Sequence, residues 1–80
     1  MFLYALYDRI AEEYGPTFEA KNDALSKRSI VKMFEKSPEL QPTDFKLYKL
    51  GKLDREDGFI ELTVISPIQE VPMDVLDETN

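Results

Sequence analysis

Residues 44–62 read DFKLYKLGKLDREDGFIEL. Apolar and polar residues alternate up to Leu53, give way to an acidic segment that ends in Asp57-Gly58, and alternate again from Phe59. Such an alternation, interrupted by an Asp-Gly pair, is typical of two antiparallel strands joined by a tight turn. The stretch therefore predicts a β-hairpin over 44–53 and 58–65, with Gly58 at positive φ.

The first strand of this hairpin is apolar on both of its faces. Phe45 and Leu47 fall on one face, and Tyr48 and Leu50 fall on the other. A β-bulge near Gly51 is therefore expected, because an extra residue lets the strand change the face on which its apolar side chains lie.

Three further elements precede the hairpin. Residues 2–7 predict a strand that is apolar on both faces and hence central or covered on both sides. A polar connection leads to a short second strand through Phe18, which Pro16 restricts to an edge because proline cannot donate to a ladder. Asn22 fits a helix N-cap, and Ser37-Pro38 ends that helix after Lys36.

The order β-β-α-β-β predicts an α+β fold with one helix packed on a small, mostly antiparallel sheet. The helical wheel predicts that four side chains face the sheet: Ala24, Ile30, Val31 and Phe34. One helix covers only part of such a sheet, so several aromatic residues are expected on the uncovered face, among Phe2, Tyr4, Tyr7, Tyr48 and Phe59. An exposed face of this kind predicts a homodimer. Residues 1–72 are interpreted as one domain and residues 73–80 as an acidic, mobile tail.

The composition argues against an enzyme. The 80 residues include no cysteine and no histidine, which removes disulfides, zinc thiolate sites and the commonest general base. Ser26 and Ser29 have no histidine to activate them. The segment 54–58 places glycine fifth rather than sixth and lies between strands, so it does not fit a calcium loop. We predict no catalytic residue, no metal and no cofactor.

The apolar start of the chain, residues 1–7, is too short to span a membrane and lacks the preceding basic region of a signal peptide. No membrane association is expected, and the absence of cysteine suits a reducing cytoplasm.

The net charge of −6 is unevenly distributed. Residues 1–20 carry −3, residues 21–52 carry +4, and residues 53–80 carry −7. The acidic total disfavours nonspecific attraction to nucleic acid, but the middle third can still present a basic surface. Two interpretations of that surface stay open: a solvated helix face, or contacts with phosphates together with a tyrosine that stacks on bases. The candidate nucleic-acid-binding residues are Lys21, Arg28, Lys32, Lys36, Lys46, Tyr48 and Lys49.

Two blocks of residues resemble a known family. The first block is Tyr7-Asp8, Ala11, Tyr14-Gly15-Pro16, Phe18, Ala20, Asn22-Asp23-Ala24 and Arg28. The second is Pro42, Asp44-Phe45, Leu47-Tyr48, Leu50-Gly51, Leu53-Asp54 and Gly58, followed by Pro67 and Val71. Together they resemble the small nonstructural proteins of gokushoviruses, which are single-stranded DNA phages of the Microviridae. The resemblance covers about residues 4–71, with departures at Ile30 and at 40–43.

This resemblance implies a phage nonstructural protein in the host bacterial cytoplasm that binds single-stranded DNA and assists genome replication and packaging. The alternative is a dimeric protein-interaction module that binds a replication or capsid protein without contacting DNA. The family supplies no established motif of binding residues, so the candidate residues rest on charge and spacing alone.

Overall fold

The computed structural model describes residues 1–73 and contains the predicted order β-β-α-β-β. Its elements are β1 (Phe2–Asp8), β2 (Glu13–Ala20), α1 (Asp23–Lys36), β3 (Phe45–Glu56) and β4 (Phe59–Val71), with one 3-10 turn at Pro42–Asp44. The four strands form one antiparallel sheet in the order β2-β1-β3-β4. The α+β class is confirmed. Residues 74–80, which make up most of the predicted acidic tail, lie outside the described residues.

The predicted hairpin is present as β3 and β4. Glu56 pairs with Phe59, so the turn consists of Asp57 and Gly58 alone, with φ values of 50° and 81°. Two consecutive residues at positive φ are what a type I′ turn requires, and this turn matches the twist of the two strands. The prediction for Gly58 is confirmed. The second strand is longer than predicted and continues past Pro67 to Val71.

The predicted bulge is also present. The register shifts between Lys49 and Gly51, where β3 meets both β1 and β4. A Cβ atom on Gly51 would lie 2.5 Å from the carbonyl oxygen of Thr63. Glycine is therefore needed here because the backbone of β4 approaches β3 too closely for a side chain.

β1 and β2 occupy the central and edge positions that the sequence predicts. β1 is paired on both sides, whereas β2 forms an edge that contains Pro16. Tyr4, Ala5 and Leu6 are buried in the middle of β1. Burial on both faces of β1 confirms the interpretation of its doubly apolar pattern.

The helix begins and ends where the sequence predicts. The Asn22 side chain accepts a hydrogen bond from the Leu25 N–H, and Ser37 is the C-cap. The buried residues of α1 are Ser26, Ile30 and Phe34. These three residues are four positions apart and form one buried stripe along the helix. Ala24 lies outside this stripe and is exposed, so the prediction that it faces the sheet is wrong. Ser26 tolerates burial because its hydroxyl donates to the Asp23 carbonyl at 2.7 Å.

One buried cluster draws side chains from the four strands and α1: Tyr4, Leu6, Ala20, Ile30, Phe34, Leu47 and Val71. The Phe34 and Phe45 rings pack with centroids 5.5 Å apart. Tyr4 is fully buried in this cluster, so the expectation that it could lie on the uncovered face is wrong. Its neighbours Leu3, Ala5 and Tyr7 alternate to the opposite side of the sheet, which we call the open face.

Candidate binding surfaces

Three basic residues of α1 form a line along its exposed surface. Arg28, Lys32 and Lys36 recur every four residues, and each is exposed. Within residues 1–73 none of the three takes part in an ion pair. The same holds for Lys21, which is exposed just before the N-cap. We call Arg28, Lys32 and Lys36 the basic stripe.

Lys49 belongs to a different environment. Its Nζ lies 3.0 Å from Asp23 Oδ1 and 4.2 Å from the centroid of the Phe2 ring, and its side chain is only 17% exposed. An ammonium held by a carboxylate and an aromatic ring has little freedom to reach a phosphate. The structure thus places Lys49 in the packing between α1 and the strands, away from the basic stripe.

Lys46 and Tyr48 lie on the open face. Lys46 pairs across the strands with Tyr7, and Tyr48 pairs with Ala5, both of which point to that side. Lys46 Nζ lies 3.4 Å from a carboxylate oxygen of Glu70. The seven candidate residues are therefore divided among the helix surface, the packed side of the sheet and the open face.

A network at the start of α1 explains why Lys49 is engaged. The Tyr4 hydroxyl donates a 2.6 Å hydrogen bond to Asp23 Oδ1, the same oxygen that Lys49 approaches. The Tyr4 hydrogen bond and the nearby Lys49 hold the pKa of Asp23 below its usual value, against the opposing effect of burial. Burial and the bond to Asp23 raise the pKa of Tyr4. The network ties the first helical turn to β1 and β3, and its role is structural.

Three tyrosines cluster on the open face. The Tyr7 ring contacts the Tyr14 ring edge to face at 4.9 Å, and Tyr48 lies 6.3 Å from Tyr7 and 6.0 Å from Tyr14 between ring centroids. Tyr14 is 51% exposed. We call these residues the tyrosine cluster. Sequence reasoning selected Tyr48 for a site but not Tyr14, because only the β1–β2 register, with Tyr7 opposite Tyr14, brings the rings together.

An apolar strip on β4 extends the open face toward the hairpin turn. Ile60, Leu62 and Val64 are 62%, 45% and 66% exposed. Val64 pairs with Gly51, which is opposite Leu3 of β1, so the alternating residues of this strip share the side of Leu3 and Tyr7. Sequence reasoning assigned these residues to a strand but did not identify them as a surface.

A cleft of about 390 Å³ lies on the other side of the sheet, beside β2. Its walls are mainly apolar and include Phe18, Met33 and Phe45. Asp8 and Glu13 are the charged residues that line it. Two carboxylates at an apolar cleft oppose the binding of a phosphate, so this cleft is not a candidate site for nucleic acid.

In the part of the chain that the structure describes, no group of three or more acidic, histidine or cysteine residues could hold a metal ion. None of the described helices has the length and apolar character needed to cross a membrane.

A family model for the Phage ORF5 protein matches residues 1–72. The chain belongs to the Phage ORF5 protein family. The match spans nearly the whole chain and agrees in extent with the resemblance over residues 4–71. No curated protein and no solved structure matches the chain.

Membership of the Phage ORF5 family identifies a small phage protein. The matched region contains all the strands and the helix of the described residues, and each of the three surfaces defined above. The basic stripe, the tyrosine cluster and the apolar strip therefore all lie in the part of the chain that carries the ORF5 assignment.

Proposed function

We propose that this phage protein binds single-stranded DNA through the basic stripe, as an accessory of genome replication and packaging in the bacterial cytoplasm. The proposal rests on one difference among the basic residues: some have a carboxylate partner and others do not. Lys46, Lys49 and Arg55 each have a carboxylate partner within the described fold. The three residues of the stripe have none among residues 1–73.

The geometry of the stripe suits a flexible strand. Residues four apart on a helix rise by about 6 Å, so the three cations extend over about 12 Å along the surface of α1. A single strand can adjust its backbone to bring successive phosphates onto such a row. The net charge of −6 opposes approach of DNA to the rest of the chain, so binding is weak and confined to this surface.

Family membership and the resemblance support the biological setting. The chain is a phage protein, and its two sequence blocks resemble small nonstructural proteins of gokushoviruses, whose genomes are single-stranded DNA. We infer that the same group of Microviridae is the source of this chain.

The proposal is tested by fluorescence anisotropy with a labelled single-stranded oligonucleotide at several salt concentrations. About three phosphate contacts to a single strand predict a slope near −2 for log K against log salt, because each contact releases a fraction of a counterion. Affinity should then fall about fifteenfold between 50 and 200 mM salt. A duplex of equal length that binds as tightly as the single strand would contradict the preference for single strands.

Matched charge reversals locate the surface. Lys32→Glu should abolish binding, whereas Lys52→Glu, which changes the net charge equally on an exposed part of β3, should reduce it much less. Lys32→Arg should preserve it. Circular dichroism verifies that each variant is folded. If folded Arg28→Glu/Lys32→Glu protein binds DNA as well as the parent, the basic stripe is only a solvated helix surface.

A second candidate function is a protein-interaction module that binds a replication or capsid protein without contacting DNA. The tyrosine cluster and the apolar strip favour it, since exposed aromatic and apolar residues on one face are typical of protein interfaces. Binding at this face should show little dependence on salt. This function would be established in place of DNA binding if the parent shows no salt-dependent binding to DNA and Tyr14→Ala/Tyr48→Ala protein loses binding to a replication or capsid protein.

A further inference from the structure

The two edges of the sheet differ in how they are protected. β2 carries Gly15-Pro16 and the charged Glu13 and Glu19, features that obstruct the pairing of another strand. The outer half of β4, residues 59–65, contains no proline, no glycine and no lysine, and its only charge is Glu61. Within the described fold β4 is the last strand of the sheet, so this segment presents an unprotected edge.

The register identifies the free backbone groups at this edge. In a hairpin closed by a two-residue turn, the residues that flank the turn form a hydrogen-bonded pair, here Glu56 and Phe59, and such pairs alternate along the strands. The N–H and C=O groups of Phe59, Glu61 and Thr63 therefore point toward β3. Those of the apolar strip, Ile60, Leu62 and Val64, point outward and are available to another strand.

We propose that a second copy of this chain occupies the edge, by antiparallel pairing of β4 with β4 about a twofold axis at Leu62. Leu62 then lies opposite Leu62 of the other copy, and Ile60 lies opposite Val64. All of these are hydrogen-bonded pairs, because their backbone groups point outward in both copies. The two sheets join into one of eight strands, and the apolar strips of both copies become continuous on the open face.

The sequence of the edge is complementary to itself in this register. Glu61 lies opposite Thr63, and Phe59 lies opposite Ile65, so no like charges and no charged–apolar pairs face each other. An axis at Glu61 would oppose two carboxylates, and an axis at Thr63 would place Glu61 against Ile65. With the axis at Leu62, the paired segment ends between the Asp57-Gly58 turn and Pro67, which cannot donate to a ladder.

Light scattering and sedimentation test the assembly without reference to DNA. The parent should have twice its chain mass of 9.3 kDa at micromolar concentration. Leu62→Lys and Leu62→Glu should each be monomeric, and their equimolar mixture should form a heterodimer, because position 62 faces itself across the axis. Ile10→Lys, at an exposed apolar position in the turn between β1 and β2, should leave the dimer intact.

A double substitution tests the register. Ile60→Lys should dissociate the dimer, and Ile60→Lys/Val64→Glu should restore it, because the two new side chains lie opposite each other across the axis. A parent that is monomeric at high micromolar concentration would overturn the proposal. So would a folded Leu62→Lys protein that stays dimeric, or a mixture of the two Leu62 variants that stays monomeric.

Crosslinking gives a result even if a charged variant fails to fold. The chain has no cysteine, so Leu62→Cys introduces a single thiol. Opposed residues in a hydrogen-bonded antiparallel pair have Cα atoms about 5.5 Å apart, within the range that a disulfide spans. Mild oxidation should therefore crosslink Leu62→Cys rapidly. Phe59→Cys should not crosslink, because the two copies of position 59 would lie six residues, or about 20 Å, apart along the strands. Equal rates for both variants would overturn the register.

Discussion

The Tyr4 hydroxyl donates a 2.6 Å hydrogen bond to the Asp23 carboxylate, and this contact joins the central strand of the sheet to the first turn of the helix. The same carboxylate oxygen lies 3.0 Å from Lys49 of β3. Asn22 caps the helix one residue earlier. Polar contacts at one end of α1, together with the burial of Ile30 and Phe34, thus fix the position of the helix and the orientation of the basic stripe.

Removal of the Tyr4 hydroxyl should weaken this attachment. Tyr4→Phe keeps the buried ring but leaves Asp23 with one fewer donor, so the free energy of unfolding should fall by about 1–2 kcal/mol in urea denaturation. Tyr14→Phe, which removes an exposed hydroxyl from the open face, is the matched control and should change little. Equal effects of the two substitutions would show that the Tyr4–Asp23 bond contributes nothing specific.

The same carboxylate should make stability depend on acid. The pKa of Asp23 is lowered in the folded state from its usual 3.8, chiefly by the Tyr4 hydrogen bond. The unfolded chain therefore takes up this proton first as the pH falls. The stabilisation is complete above pH 3.8 and is lost as the pH falls from there through the folded-state pKa. Denaturation series between pH 6 and pH 2 should show a shallower decline for Asp23→Asn, and identical slopes would contradict the assignment.

Gly51 should not accept a side chain. An alanine Cβ would lie 2.5 Å from the Thr63 carbonyl oxygen and 3.0 Å from Leu62 Cδ1, so Gly51→Ala must separate β3 from β4 at the bulge. We expect a loss of about 1–3 kcal/mol in the free energy of unfolding. Gly15→Ala is the control, because its nearest neighbour is the Leu6 carbonyl oxygen at an ordinary 3.6 Å. Thermal denaturation of the two variants makes the comparison, and a neutral Gly51→Ala would argue against the close approach.

The acidic end of the chain should compete with DNA for the basic stripe. Deletion of residues 74–80 removes Asp74, Asp77 and Glu78 but keeps Met73, which packs against the core. Affinity for single-stranded DNA should rise, and more at low salt, where charges are screened less. The full-length Asp74→Asn/Asp77→Asn/Glu78→Gln protein separates charge from length in the same anisotropy measurement. Unchanged affinity in both variants would show that the acidic end does not compete with DNA.

The hairpin shows how much of the fold is local. The Asp57-Gly58 turn and the caps at Asn22 and Ser37 were predictable because they depend on backbone preferences of a few adjacent residues. The bulge at Gly51 was predictable from the apolar residues on both faces of one strand. Which side of the helix is buried was less predictable. Alanine contributes little apolar area, so Ala24 could not fix which side of α1 is buried, and Ser26 took a buried place through a hydrogen bond to its own helix.

The candidate surfaces were likewise predictable from the sequence only in part. By itself the sequence determined that Arg28, Lys32 and Lys36 form a row, because residues four apart lie on the same side of any α-helix. Tertiary structure alone decided that Lys49 lies against Asp23 and Lys46 against Glu70, contacts between residues more than twenty positions apart. It also assembled the tyrosine cluster. The physical reason is strand register, which only the packed sheet sets. A shift of one residue would move every side chain of a strand to the opposite face of the sheet.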